Sequence, residues 1–176
     1  ILTTVVEHEA VLETCRQLNA VWDIPIFYIP VDRCGRVDVD QIRDVIRENQ
    51  PLVVAVMLAN NEIGTIYPIE EIAEITHEFG ALFFTDATQA AGKIPIDVRM
   101  QGIDLLAFSA HKMAGPTGIG ILYGKEELLE DMDPFLGGGE MILKVTLDDA
   151  TWGAFWRWNN LDYLQHGTGG TYAAGL

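Results

Sequence analysis

Two kinds of apolar pattern alternate along the chain: short continuous apolar runs, and segments in which apolar residues recur at every third or fourth position. The run 52–58 is typical of a strand buried on both faces of a parallel sheet. The segment that follows Asp38 places Val39, Ile42 and Ile46 on one face of a helix, with Asp38 as its N-cap. This alternation of strands and helices predicts βαβ units and a mostly parallel sheet.

The other predicted elements follow from the same periodicities and from turn-forming residues. They are helices near 10–18, 69–79 and 125–132, a turn at 32–35, and strands at 24–29, 81–84, 105–108 and 119–123. Residues 145–176 form a tail without a clear pattern. We expect residues 1–176 to form a single, partial α/β domain.

Composition narrows the class of protein. With 176 residues, 49% of them apolar and 21% charged, the chain has the composition of a globular domain. The net charge of −15 argues against a nucleic-acid-binding surface, because phosphate contacts need clustered lysines and arginines. No apolar run approaches the roughly 20 residues that a membrane-spanning helix needs, so we expect no membrane partner.

The two cysteines, Cys15 and Cys34, are too few for a disulfide framework in a chain of this length. They favour a reducing, cytoplasmic setting, and the start of the chain carries no signal-peptide pattern. Because the chain begins at Ile1 rather than at a methionine, we expect it to be a fragment of a longer protein.

Polar residues that follow the predicted strands supply the candidate chemistry. Asn61, Asp86 and Lys112 each come after an apolar run. In open α/β sheets ligands bind beyond the carboxyl ends of the strands, so these side chains are expected to converge. Taken singly, a strand-end aspartate is often only a turn former, and a lysine in a glycine-rich loop is usually solvated.

One chemistry uses all three side chains together. In pyridoxal phosphate enzymes a lysine amine forms a Schiff base with the cofactor, and a carboxylate pairs with the pyridine nitrogen. Lys112 is the candidate lysine and Asp86 the candidate carboxylate. Gln89, one helical turn past Asp86, is a candidate for the ring hydroxyl, and Ser109 and His111 flank the lysine as candidates for the phosphate.

His8 is a weaker candidate. Its ring could stack on the cofactor, but a histidine near a helix start more often accepts a local hydrogen bond, and placement alone favours that alternative. The sequence predicts no metal site.

Several segments resemble those of cysteine desulfurases, which belong to the class V aminotransferase-like group of fold-type I pyridoxal phosphate enzymes. They are residues 7–12, 59–64, 85–89 and 109–120, with order and spacing kept. Residues 134–142 are similar to the branch that contains the desulfurases and selenocysteine lyases. The resemblance implies a three-layer α/β/α large domain with a mostly parallel sheet, incomplete in this chain.

The resemblance also implies roles around the cofactor ring. His8 would stack on the ring and assist proton transfer. Asn61 would lie near the ring hydroxyl and the substrate. Asp86 would pair with the ring nitrogen, and Gln89 would bond the ring hydroxyl.

Further implied roles concern the phosphate and the covalent link. Ser109 and His111 would bind the phosphate, and Lys112 would carry the cofactor. Thr168, in a Gly-Thr pair, resembles a family threonine that reaches the phosphate of the neighbouring subunit. That likeness implies a homodimer with shared sites.

In the family, L-cysteine reacts at the cofactor and a cysteine thiolate attacks the substrate sulfur. The products are alanine and an enzyme persulfide, which passes sulfur to an acceptor protein for iron–sulfur cluster assembly. The family's N-terminal phosphate-binding helix start and C-terminal small domain, with the nucleophilic cysteine and a substrate-binding arginine, are absent from this sequence. Neither Cys15 nor Cys34 stands at the catalytic position.

Three other interpretations stay open. The chain could belong to another class V enzyme, such as a selenocysteine lyase or an aminotransferase. It could be a catalytically inactive fragment that only associates with a partner or with itself. A plain nucleotide-binding domain ranks last, because no G-x-G-x-x-G follows a first strand.

Overall fold

The computed structural model describes residues 1–132 and the backbone of three further strands, 142–145, 150–152 and 171–173. Contacts within the chain divide it into two compact units, Ile1–Leu106 and Ala107–Leu176. The expectation of a single partial domain over residues 1–176 stays a prediction. Among the described residues, no helix is both long and apolar enough to cross a membrane.

Strands and helices alternate in the first unit. Its elements are β1 (Leu2–Thr4), α1 (Glu9–Trp22), β2 (Phe27–Ile29), α2 (Val39–Asn49), β3 (Val53–Ala55), α3 (Ile69–Glu78), β4 (Leu82–Asp86) and the start of β5 (Leu105–Ser109). The strands lie in the order β2-β1-β3-β4-β5. β1 pairs in parallel with β2 and β3, and β3 pairs in parallel with β4, so the predicted parallel sheet is confirmed.

The chain order of the strands decides which face each helix covers. From β1 the chain moves to one side to form β2, and then returns past β1 to form β3 and β4. Because crossovers between parallel strands are right-handed, the first step places α1 on one face, and the return steps place α2 and α3 on the other. α2 and α3 contact each other, as two helices on one face would. The predicted α/β/α layering is thereby confirmed.

The core of this unit lies between the sheet and the apolar faces of its helices. Its fully buried side chains include Leu2, Val54 and Phe83 from the strands and Ile42, Ile46 and Ile72 from the helices. Each side chain of this size contributes about 1.5–3 kcal/mol when it leaves water.

α2 forms as the sequence predicts. The Asp38 carboxylate accepts hydrogen bonds from the backbone N–H groups of Asp40, at 3.0 Å, and Gln41, at 3.3 Å. These are donors that a helix N-terminus leaves without an intrahelical partner. The helix ends at Gln50, which takes a left-handed backbone conformation with φ of 47°.

Some boundaries differ from the expected ones. α1 continues to Trp22 rather than ending near Leu18, and stops where Asp23 takes a left-handed backbone with φ of 54°. β2 is shorter than the predicted strand 24–29, which contains Pro25, a residue that has no N–H to donate. The sequence pattern does not predict β1, because a strand of three residues is too short to show a periodicity.

The second unit contains the rest of β5 and six further elements. They are a 3-10 helix (Ala110–Met113), β6 (Gly120–Gly124), α4 (Glu126–Asp131), β7 (Ile142–Val145), β8 (Ala150–Trp152) and β9 (Thr171–Ala173). β6 lies between β5 and β9 and pairs with β9 in parallel, whereas β7 and β8 pair antiparallel. The predicted strand 119–123 and helix 125–132 are confirmed, and the tail without a pattern contains β8 and β9.

The N-cap of α2 offers a stability test. We expect Asp38→Ala to lower the free energy of unfolding by about 1 kcal/mol, because two backbone donors lose their acceptor. Asp38→Asn keeps an acceptor and should cost far less. Urea unfolding of both variants checks this, and equal losses in the two would contradict the capping role.

Candidate active site

The candidate site lies where the strand order reverses. The connection from β1 leads to β2 on one side of it, whereas the connection from β3 leads to β4 on the other side. The neighbours β1 and β3 are thus the two parallel strands from which the chain turns to opposite sides. In open α/β sheets the crevice beyond the carboxyl ends of two such strands is where ligands bind. Glu7 and His8 follow β1, Asn60 and Asn61 follow β3, and Asp86 ends β4.

Asp86 is fixed through its backbone and through one carboxylate oxygen. Its backbone oxygen accepts from the N–H of Leu58 at 2.9 Å, and its Oδ1 accepts from the N–H of Thr88 at 2.8 Å. Oδ2 has no hydrogen-bond partner among residues 1–132, and the residue is half-buried. A rigid carboxylate with an oxygen available at a strand end suits a cationic ring nitrogen.

Gln89 lies on the short helical turn after Asp86, in which Ala90 and Ala91 donate to the carbonyl of Ala87 at 2.9 and 2.8 Å. Its Oε1 accepts from Lys93 Nζ at 3.0 Å. The side chain is half-buried, and its amide nitrogen, a donor, has no partner among residues 1–132. Gln89 therefore stands one turn from Asp86, as the sequence predicts.

His8 caps α1. Its Nδ1 accepts from the backbone N–H of Ala10 at 3.1 Å, which requires the neutral ring to carry its proton on Nε2. The structure therefore shows the local hydrogen bond expected of a histidine at a helix start. This bond also fixes the ring at the carboxyl end of β1, where it is exposed. Stacking on a cofactor stays a prediction.

Asn61 is exposed and makes no hydrogen bond within residues 1–132. Its neighbour Asn60 is buried and holds the loop after β3 in place. Asn60 Nδ2 donates to the carbonyl of Val6 at 2.9 Å, and its Oδ1 accepts from the N–H groups of Glu62, at 2.8 Å, and Ile63, at 3.0 Å. Asn60 thus joins the loops after β1 and β3, a role that sequence reasoning missed.

Glu7 is the other residue that sequence reasoning missed. It is only 6% exposed, and its Oε1 accepts from Thr4 Oγ1 at 2.8 Å and from the N–H of Met57 at 3.0 Å. The ladder between β1 and β3 has already ended at Thr3 and Ala55. The glutamate side chain therefore accepts a hydrogen bond from a backbone N–H beyond the end of this ladder. A glutamate directly after Val5 and Val6 was the available signal.

The pKa of Glu7 is raised from 4.5 to about 7. Burial is the largest cause, because it penalises the charged form, and the negative charge of Asp86 adds to it. The hydrogen bonds from Met57 and Thr4 act in the opposite direction. Near neutral pH the carboxyl is thus protonated in a substantial share of molecules.

The predicted lysine loop lies in the second unit. Ser109 ends β5, and His111 and Lys112 are exposed on the 3-10 helix, without a hydrogen bond or ion pair among the described residues. The chain then folds back so closely that a Cβ added to Gly115 would lie 2.8 Å from the carbonyl oxygen of Ala110. This tight turn presents the Lys112 amine to solvent.

These donor sets fit pyridoxal phosphate. The first unit places His8, Asn61, Asp86 and Gln89 at the carboxyl ends of its strands. The second unit holds the Ser109 hydroxyl at the end of β5 and the His111 imidazole beside Lys112, an amine without a partner among the described residues. The convergence of the two sets on one ring stays a prediction. The predicted Thr168 lies outside the described residues.

Glu7 gives a pH-dependent stability prediction. Its pKa is higher in the folded chain than in the unfolded one, so its contribution to stability is fully present below about pH 4.5 and is lost as the pH rises to about 7. The loss is about 3 kcal/mol, since one pKa unit corresponds to about 1.4 kcal/mol. Glu7→Gln keeps the acceptor for Thr4 and Met57 but does not titrate.

We therefore expect Glu7→Gln to be as stable as the unaltered chain at low pH and more stable above pH 7. Chemical denaturation across this pH range is the measurement. The exposed Glu71→Gln is the matched control and should follow the unaltered chain. Parallel stability curves for Glu7→Gln and the unaltered chain would contradict the raised pKa.

Comparisons with known proteins identify the family of this chain. The family model Aminotransferase class-V matches residues 1–173. A probable cysteine desulfurase from Halobacterium salinarum is 45% identical over 152 residues, which cover 86% of this chain and 36% of that protein. The chain thus spans about a third of the length of the curated relatives it matches.

Solved structures show the same likeness. The apo structure of a cysteine desulfurase from Thermococcus onnurineus matches with a TM-score of 0.81 and 35% identity, covering 87% of this chain and 38% of that one. A structure of SspA in complex with cysteine matches with a TM-score of 0.73 and 36% identity, covering 79% and 40%. With a family model matched over nearly its whole length, this chain belongs to the aminotransferase class-V family.

Proposed function

We propose that this chain is the cofactor-holding part of a pyridoxal phosphate-dependent cysteine desulfurase. The observation that carries the proposal is the position of Asp86 at the carboxyl end of the sheet, where His8 and Asn61 also lie. One carboxylate oxygen of Asp86 has no partner among residues 1–132. The family membership and the names of the relatives support it.

In this proposal each side chain of the first unit has a role set by its own chemistry. Asp86 holds the pyridine nitrogen in its protonated form, because a carboxylate stabilises a neighbouring cation. His8, anchored through Nδ1, offers a ring face for stacking and an Nε2 proton. Asn61 and Gln89 supply amide groups for the ring hydroxyl.

The second unit supplies the covalent link and the phosphate contacts. Lys112 provides an exposed amine without a competing ion pair among the described residues, and Ser109 and His111 offer a hydroxyl and an imidazole to the phosphate. Pyridoxal phosphate, when bound, supplies an electron sink for bonds broken at the substrate α-carbon. Thr168 is proposed to reach the phosphate of a second subunit.

The proposed substrate is L-cysteine. Relatives carry the name cysteine desulfurase, and one structural neighbour is in complex with cysteine. The overall reaction transfers the substrate sulfur to an enzyme thiol, which gives alanine and a persulfide. A homodimer, a sulfur-acceptor protein and a cytoplasmic setting belong to the same proposal and follow from the family resemblance.

Cys15 is unsuited to carry the persulfide. Its side chain is 4% exposed, and burial raises the pKa of its thiol, with the charge of Glu7 acting in the same direction. A reactive thiol needs an accessible and electropositive environment instead. Cys34 is exposed in the turn after β2, where its N–H donates to Asp32, and we assign it no role.

The experiment is covalent trapping of the cofactor. Mixing the chain with pyridoxal phosphate, reducing with borohydride and mapping peptides by mass should place the adduct on Lys112. We expect Lys112→Ala to abolish the adduct while its melting curve stays unchanged, since removing an exposed side chain that has no partner among the described residues alters stability by less than about 0.5 kcal/mol.

Lys125→Ala, a lysine of the same unit outside the loop, is the control and should still form the adduct. A folded chain without an adduct would overturn the proposal and favour an inactive fragment. An adduct spread over several lysines would exclude a specific site at Lys112.

A further inference from the structure

Glu7 has no part in the proposed chemistry, although it is the most deeply buried acid at the site edge. Electrostatic interactions connect Glu7 with three titratable groups on neighbouring elements. They are Asp86 at the end of β4, Cys15 on α1 and Tyr67 before α3. All three are acids, and no cation acts on Glu7 among residues 1–106. Among residues 1–106, negative charge on Glu7 thus meets no compensating charge.

Consecutive peptide groups of the extended segment after β3 connect Glu7 with Asp86. The N–H of Met57 donates to the Glu7 carboxylate at 3.0 Å, and the N–H of Leu58 donates to the backbone oxygen of Asp86 at 2.9 Å. Because neighbouring N–H groups of a strand point to opposite sides, the two acids flank the end of β3. The Glu7 carboxyl and the backbone of Asp86 are thus each one hydrogen bond away from the same stretch of chain. Charges on a buried and a half-buried group interact over short separations, because salt screens them weakly.

We propose that Glu7 is a positioning residue that couples occupation of the site to proton release. In the free chain its carboxyl is protonated in part of the molecules, and these release the proton to solvent when a cationic heteroaromatic ring binds against Asp86. The ring is the pyridinium of the cofactor, so the inference rests on the proposed function.

The physical reason is the removal of one like charge. In the free chain both burial and Asp86 disfavour an ionised Glu7. A cation paired with Asp86 cancels the second effect, whereas the donors Thr4 and Met57 continue to favour the carboxylate. The occupied site then binds fewer protons than the free chain. By linkage, affinity for the ring rises as the pH rises through the range in which Glu7 titrates.

The first arm of the test uses the free chain. Carbon-13 NMR of the Glu7 carboxyl gives its titration midpoint directly. Asp86→Asn removes the charge but keeps the acceptor for Thr88, so it imitates neutralisation of Asp86 without any cofactor. We expect this variant to move the Glu7 midpoint to lower pH, and the exposed Asp97→Asn to leave it in place.

The second arm adds pyridoxal phosphate to weakly buffered protein near pH 7 and measures proton release. We expect the unaltered chain to release up to about half a proton more per bound cofactor than Glu7→Gln, because about half of the Glu7 carboxyls are protonated there. Affinity measured between pH 6 and 8 should rise several-fold more in the unaltered chain than in Glu7→Gln.

The outcomes separate the two proposals. An unmoved Glu7 midpoint in Asp86→Asn, or equal proton release in the unaltered chain and Glu7→Gln, overturns the coupling. If no variant binds pyridoxal phosphate while Asp86→Asn still lowers the midpoint, the proposed function fails and the coupling of the two acids stands.

Discussion

Two hydrogen bonds donated by the end of β3 determine the geometry of the candidate site. The N–H groups of Met57 and Leu58 lie beyond the last residue of β3, and they bind Glu7 on one side and Asp86 on the other. Since a strand directs successive N–H groups to opposite sides, one short stretch of backbone fixes both acids. The positions of His8, next to Glu7, and of the loop after β3 follow from the same bonds.

This arrangement holds the site residues in place but lowers the stability of the folded chain near neutral pH. A buried glutamate that ionises near neutral pH destabilises the folded state at the pH at which the site is proposed to work. A glutamine would keep both hydrogen bonds without that loss. Groups that destabilise a fold in this way are often found where function needs them, which is why we connect Glu7 with the occupancy of Asp86.

Much of the fold is predictable from the sequence because local patterns and tertiary structure agree. Asp38 and the apolar spacing after it define α2, and the run 52–58 contains β3, an interior strand of the sheet that is limited to Val53–Ala55. β1 is not predictable, because its three residues acquire their structure from the strands on both sides.

The candidate site shows the same division. Asp86 and Lys112 can be named as candidates from the sequence, because one cofactor chemistry uses a carboxylate and a lysine amine together. Glu7 and Asn60 are not, because their roles depend on contacts between loops distant in sequence: Glu7 with Met57, and Asn60 with Val6. Nothing local distinguishes Asn60, which supports the loop, from Asn61, which is exposed beside it.

Nitrogen-15 NMR of labelled pyridoxal phosphate would show whether Asp86 receives a protonated pyridine nitrogen. We expect the bound ring nitrogen to stay protonated to a higher pH than in free solution, and Asp86→Asn to abolish this difference. A bound ring that titrates identically in the unaltered chain and in Asp86→Asn would show that Asp86 does not pair with the ring nitrogen.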